Sequence, residues 1–276
     1  MSAEHPRALL ARWGLRPKKR YGQNFLMDSA AARRIARLSV RSAGDRVVEI
    51  GAGTGALTHA LLAEGAAVTA IEIDPQLAAL LRSREDLRGA EVVEADALGF
   101  DFAAWARGAP WQAAGNLPYN VATPLVLRFC EMRDGPQTVT AMVQKDVADR
   151  LAARPGTAAY GSLSVAVAYA MEVHREFTLG PQSFYPQPKV RSTVVRMVRH
   201  DRPPVRPHDL ELFWKVVRGA FAYRRKTLAN SLVLALGLNR AGIERALADC
   251  KLSPEIRGER LDLDDFARLA DALAEG

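Results

Sequence analysis

The stretch Glu49-Ile50-Gly51-Ala52-Gly53-Thr54-Gly55 constrains this chain more than any other. The run before it, 46–50, is short and rich in β-branched residues, and it reads as a buried strand. The run after it, 56–63, has helical spacing. Three glycines at alternate positions have to make the turn between them. Lacking a Cβ, glycine takes dihedrals closed to other residues and lets a ligand lie against bare backbone. A helix begins there, with unpaired N–H groups facing the turn. The stretch therefore predicts a nucleotide-type ligand loop on the first strand of an α/β sheet.

The loop alone leaves the ligand open. S-adenosylmethionine suits it. Gly51, Gly53 and Ala56 also satisfy the looser dinucleotide pattern G-x-G-x-x-G/A, which carries an acidic residue about 20 positions on. A tight turn without a ligand is the third reading.

The chain has 276 residues, 49% of them hydrophobic, enough for one large domain and a small one. No apolar run approaches the roughly 18 residues of a membrane span. The basic N-terminus lacks the apolar core of an export signal, and Cys130 and Cys250 stand far apart without framework spacing. A cytoplasmic protein with reduced thiols is expected. No His or Cys pair has ligand spacing, so no metal is expected. Residues 1–46 hold 11 Lys and Arg against 3 Asp and Glu, a charge of +8, so the rest of the chain, with a net charge of +7 overall, sums to about −1. A basic arm on a neutral body points to a polyanion, nucleic acid first; solubility alone is the other reading.

Taken in order, 6–13 reads as a short helix ended by Gly14. Lys18, Lys19 and Arg20 lie in a loop too polar to pack, and phosphate contact or a solvated linker accounts for them. Residues 21–26 mix aromatic, amide and apolar side chains, as in a segment that folds over something. Asp28 or Ser29 caps a helix running to about Val40. Strands are expected at 46–50, 67–73, 91–95, 111–115 and 138–144, with helices at 56–64, 75–84, 123–132 and 145–153 between or after them. That alternation predicts a parallel, doubly wound sheet with ligands at the strands' carboxyl ends. A helix over 161–170 and an antiparallel edge pair, 171–179 with 191–199, follow. The Pro-rich segment 202–207 is the expected boundary between a domain of 1–201 and a helical domain of 202–276.

Strand ends should carry the ligand contacts. Glu72 ends the second strand, where a carboxylate can take both hydroxyls of a ribose. Asp96 follows the third, placed to accept from an adenine amine or to cap a helix. The fourth ends in Asn116-Leu117-Pro118-Tyr119, the most specific feature of the chain. The Asn116 amide oxygen and the Leu117 carbonyl can accept the two N–H groups of an exocyclic amine, and Tyr119 can stack on the ring. This set suits a flat amino-bearing base and has no use in a dehydrogenase, which favours S-adenosylmethionine over a dinucleotide.

With Gly-Gln-Asn-Phe-Leu at 22–26 and Phe-Tyr-Pro-Gln-Pro-Lys-Val at 184–190, these motifs resemble the rRNA adenine N6-dimethyltransferase family; Phe-Ala-Tyr-Arg-Arg-Lys-Thr-Leu at 221–228 is similar to its bacterial small-subunit branch. The resemblance runs from about residue 20 to the end. It implies a Rossmann-like class I S-adenosylmethionine-dependent methyltransferase sheet with a small C-terminal all-helical domain. It implies cofactor contacts at Asn24, Leu26, Gly51, Gly53, Glu72, Asp96 and Asn116, and an adenine site at Asn116, Leu117, Tyr119 and Phe184. The prolines around Phe184 suggest an exposed loop. The implied substrate is a pair of adjacent adenines in the loop of the 3′-terminal hairpin of 16S rRNA, each dimethylated at N6 in the assembling small subunit. Lys18, Lys19, Arg20, Arg224, Arg225 and Lys226 would form the rRNA footprint. A monomer without membrane association is expected.

Overall fold

The computed structural model describes residues 5–274, with every side chain except those of Tyr119 and Asn120. The chain forms two compact units, one of residues up to 148 with 172–199, the other of 149–171 with the residues from 200 on.

In chain order the elements up to 199 are α1 (Pro6–Arg12), β1 (Phe25–Leu26), α2 (Ser29–Ser39), β2 (Arg46–Ile50), α3 (Ala56–Ala63), β3 (Ala67–Glu72), α4 (Pro75–Ser83), β4 (Glu91–Glu94), α5 (Phe102–Ala106), β5 (Gln112–Asn116), α6 (Tyr119–Glu131), β6 (Thr138–Gln144), α7 (Lys145–Leu151), α8 (Ser162–Ala170), β7 (Met171–Leu179), β8 (Phe184–Tyr185) and β9 (Ser192–Arg199). Seven strands make one sheet in the order β4-β3-β2-β5-β6-β9-β7. The first five pair in parallel, and β9 runs antiparallel to β6. The strands expected at the edge are thus β9, one place in, and β7, the edge itself.

The order places the site. From β2 the chain winds outward through β3 and β4, then returns to the other side of β2 for β5 and β6. The carboxyl ends of β2 and β5 therefore flank a topological switch point, where ligands bind in such sheets. The two strands approach closely there: a Cβ on Gly115 would lie 2.5 Å from the Ile50 carbonyl oxygen.

Local chemistry explains the element ends. The Asp28 carboxylate accepts from the N–H groups of Ala30 and Ala31 at 3.0 and 2.9 Å, capping α2; such a cap contributes about 1 kcal/mol. Asp74 caps α4, with Pro75 at the first helical position. The apolar stripe of α2, with Ile35 and Ala36, packs with Leu57 and Leu61 of α3 against Val47, Met142 and Val194 of the sheet. A second group stacks Phe102 on Trp111 at 5.3 Å, with Phe129 edge-on to both.

The other unit contains α9 (Leu210–Ala222), α10 (Leu228–Leu236), α11 (Arg240–Asp249) and α12 (Leu263–Ala274). Phe213, Leu232, Ile243 and Phe266 form its centre. The buried Ser231 hydroxyl donates to the Gly219 carbonyl at 2.7 Å where α10 meets α9. The division at 201/202 is corrected here, because residues 149–171 belong with these helices. Tyr160 and Val165 share their core, and the Tyr160 hydroxyl donates to the Leu261 carbonyl at 2.9 Å. A sequence boundary marks where a linker lies; it does not register a helix that packs with a segment a hundred residues on.

Candidate cofactor and base site

A cleft opens at the switch point, walled by the glycine loop, the arm segment 21–26, and the ends of β3 and β5. Gly51, Gly53 and Gly55 have φ of +71°, +58° and +85°, in the left-handed region that a side chain would strain. Both oxygens of Glu72 are set by backbone: Oε2 accepts from Gly53 N–H at 2.8 Å and Oε1 from Asp74 N–H at 2.9 Å. Each oxygen keeps lone-pair capacity for a ligand hydroxyl. Burial raises the Glu72 pKa against the pull of these N–H groups.

Glu49 lines the same cleft, and sequence reasoning assigned it nothing. It is 1% exposed, and its Oε2 accepts the Thr58 hydroxyl at 2.5 Å. Burial pushes its pKa up to about 8; the Thr58 bond opposes this and the Glu72 charge adds to it. The folded protein thus holds a proton that the unfolded chain releases near 4.5. Folding stability must therefore fall as pH rises from about 4.5 through about 8. Denaturant midpoints measured at pH 6 and pH 9 should show this fall, and Glu49→Gln, which keeps an acceptor for Thr58, should reduce it. Equal falls in both proteins would contradict the assignment.

Among the described residues lining the cleft, Glu49 and Glu72 are the acidic groups, and none is Lys or Arg. With Glu49 holding its proton, the Glu72 carboxylate and the lack of a cation among these lining residues suit a ligand bearing positive charge better than the phosphates of a dinucleotide.

The arm reaches across to β5. The Asn116 amide Nδ2 donates to the Asn24 carbonyl at 2.7 Å, and Asn24 Nδ2 donates to the Gly22 carbonyl at 3.0 Å. Only the nitrogen of an amide can serve a carbonyl, so Oδ1 is left as the acceptor of Asn116. The strand that fixes this arrangement has two residues: Phe25 and Leu26 pair antiparallel with Tyr185 and Phe184.

The cleft brings together Asn24, Leu26, Gly51, Gly53, Glu72, Asn116, Leu117 and Phe184 of the expected set. Three expectations change. Phe184 does not stand in an exposed loop: it is 1% exposed, because its pairing with Leu26 draws the ring into the core as a cleft wall. Asp96 is exposed and not among the lining residues; its Oδ1 closes a turn with the Leu98 N–H at 2.9 Å. Lys18 is no solvated cation: its Nζ donates to Asp74 Oδ1 at 2.8 Å and Gln76 Oε1 at 2.7 Å. The Tyr119 side chain lies outside the described residues.

Lys19 and Arg20 are exposed, the Arg20 guanidinium 4.6 Å from the Tyr21 ring centre. Arg224, Arg225 and Lys226 are exposed in the turn from α9 to α10, and Arg224 donates to the Ala158 carbonyl at 2.9 Å. Among the described residues no cluster has the makings of a metal site, and no helix is long and apolar enough to cross a membrane.

The family model for ribosomal RNA adenine dimethylase matches residues 14–274. The chain is 43% identical over 260 residues to the ribosomal RNA small subunit methyltransferase A of Hahella chejuensis, covering 94% of this chain and 93% of that protein. It is 43% identical over 262 residues to the protein of the same name from Pseudomonas aeruginosa, covering 94% and 96%. Of solved structures, a dimethyladenosine transferase from Plasmodium falciparum is similar with a TM-score of 0.72 and 25% identity, over 89% of this chain and 95% of that one. The 23S rRNA methyltransferase ErmE is similar with a TM-score of 0.70 and 27% identity, over 91% and 100%. The match spans both the carboxylate-lined cleft and the helical unit, and the chain belongs to the ribosomal RNA adenine dimethylase family.

Proposed function

We propose that the protein transfers methyl groups from S-adenosylmethionine to N6 of two adjacent adenines in the loop of the 3′-terminal hairpin of 16S rRNA, giving N6,N6-dimethyladenine. The observation that carries this reading is the Asn116 amide, tethered through its nitrogen so that its oxygen is left to accept. The relatives from Hahella chejuensis and Pseudomonas aeruginosa, named for the small subunit, support the choice of rRNA.

The cofactor fits the residues present. Glu72 would take the ribose hydroxyls, the glycine loop would lie under the methionine portion, and the Glu72 carboxylate would balance its positive charge. When bound, it supplies an activated sulfonium methyl. The chain's own task is then to align the base. An adenine amine is a poor nucleophile because its lone pair is conjugated with the ring. Asn116 Oδ1 and the Leu117 carbonyl, accepting its two N–H groups, would favour a tetrahedral nitrogen whose lone pair points out of the ring plane. Holding reactants in such alignment can supply about 7–11 kcal/mol of barrier reduction. The base must leave its stack to enter. We assign Tyr119 to stack on it and Phe184 to form the fixed wall; base–aromatic stacking contributes roughly 1–3 kcal/mol. The second methylation needs room in the pocket for one methyl.

Lys19, Arg20, Arg224, Arg225 and Lys226 would contact rRNA phosphates, as suits recognition of structured RNA by shape and backbone. A substrate in assembling small subunits places the protein in the cytoplasm and gives it a role in their biogenesis; we assign it as a monomer.

The test is to incubate the protein with labelled cofactor and small subunits from a strain lacking the two dimethyladenines, and to map the product by mass spectrometry. Two adjacent dimethylated adenines are expected. Transfer to large-subunit RNA instead would favour the activity named for ErmE, and transfer to neither would refute an rRNA methylating role.

A further inference from the structure

One hydrogen-bonded chain joins the two ends of the cleft. It starts at Glu72, whose Oε1 accepts the Asp74 N–H. Asp74 is 2% exposed at its side chain, and each oxygen takes a donor from the arm. Oδ1 accepts from Lys18 Nζ at 2.8 Å, and Oδ2 accepts from Gln23 Nε2 at 3.1 Å. Lys18 and Gln23 are themselves joined, Lys18 N–H donating to Gln23 Oε1 at 2.7 Å. The next residue is Asn24, whose carbonyl takes the Asn116 amide.

β1 is only two residues long, and apolar packing of Leu10 and Phe25 with Leu77, and of Leu26 in the sheet core, holds the arm beside it; the polar bonds to Asp74 set its register over the cleft. Gly22 takes the left-handed conformation, turning the chain from the 19–21 turn back into the cleft. At Asp74 the arm meets a carboxylate held away from solvent. Burial would raise the Asp74 pKa, but the bonds from Lys18 and Gln23 outweigh it and hold the carboxylate below its ordinary value. The contact is an ion pair with both partners further hydrogen-bonded, the arrangement in which a buried pair repays desolvation.

We infer that Lys18 and Gln23 are positioning residues for the methyl transfer: with Asp74 they latch the arm across the cleft, holding the cofactor wall and the Asn24 carbonyl that orients Asn116. Lys18 then serves cofactor binding and not rRNA phosphate. The inference rests on the assignment of this cleft to S-adenosylmethionine.

The full-length protein is tested as Lys18→Met and Lys18→Arg, alone and with Asp74→Asn. S-adenosylmethionine affinity is measured by calorimetry, and affinity for unmethylated small subunits across a salt series. Lys18→Met should weaken the cofactor about tenfold, the equivalent of one charged hydrogen bond. Lys18→Arg should stay near the wild type. In the Asp74→Asn background Lys18→Met should add less than twofold, because the partner is already gone. The salt slope should not move, whereas loss of one phosphate contact would lower it by about 0.7–0.9. Wild-type cofactor affinity in Lys18→Met overturns the latch. Failure of the wild type to bind S-adenosylmethionine overturns instead the assignment of the cleft.

Discussion

Asn116→Ala is expected to lower methyl transfer by about 10²–10³-fold, the loss that follows removal of one oriented group from a reacting centre. The expectation comes from how its amide is held. The donor end is taken up by the Asn24 carbonyl at 2.7 Å, so the acceptor end cannot rotate away. An adenine amine placed there meets an oxygen already oriented, and no reorganisation is needed as the nitrogen becomes tetrahedral. Asn116→Asp is no conservative change. It sets a carboxylate oxygen against the Asn24 carbonyl, two acceptors with no proton between them, and the side chain must turn or take up a proton. Both variants should therefore lose turnover, while cofactor affinity, held mainly by the Glu72 end, falls by no more than about tenfold. Single-turnover rates at saturating cofactor and unmethylated small subunits provide the measurement. A rate within tenfold of the wild type in Asn116→Ala would remove this amide from the chemistry.

Much of this site was legible because its signals are local. The glycine loop announces itself in seven residues, β2 ends where a β-branched run stops, and Asp28 declares a helix start three positions ahead of its buried face. Parts of the site that depend on distant pairing were not legible. Phe184 reads as an exposed loop residue because prolines surround it; its burial comes from pairing with Leu26, across more than 150 positions. Lys18 reads as a phosphate contact because Lys19 and Arg20 follow it, yet its partner Asp74 lies 56 residues on. Glu49 looked like part of a strand, and only the fold shows that its side chain lies in the cleft beside Glu72. The grouping of 149–171 with the helical unit has the same cause: Tyr160 finds its acceptor at Leu261. In each case composition and spacing describe the segment correctly and say nothing of what it meets.

The largest effect on cofactor affinity should come from Glu72→Gln, a change that preserves shape. Glu72 accepts two backbone N–H groups, one on each oxygen. Glutamine has one accepting oxygen, so one of these N–H groups must face an NH₂. An unpaired buried donor costs about 1–3 kcal/mol, before any loss at the ribose hydroxyls is counted. The Gly53 N–H belongs to the glycine loop and the Asp74 N–H to the latch, so either mismatch disturbs a wall of the cleft. The neighbour acts in the opposite direction. Glu49 is pushed up partly by the Glu72 charge, and removing that charge eases its ionisation. Stability therefore records a difference of opposing terms and is a poor readout; cofactor affinity is a direct one. Glu72→Gln and Glu72→Ala should both weaken S-adenosylmethionine by about 100-fold or more, as loss of two hydrogen bonds to a charged group predicts. Calorimetric titration at pH 8 checks this. If Glu72→Gln binds as well as the wild type, the carboxylate does not hold the ribose, and the ligand lies elsewhere in the cleft.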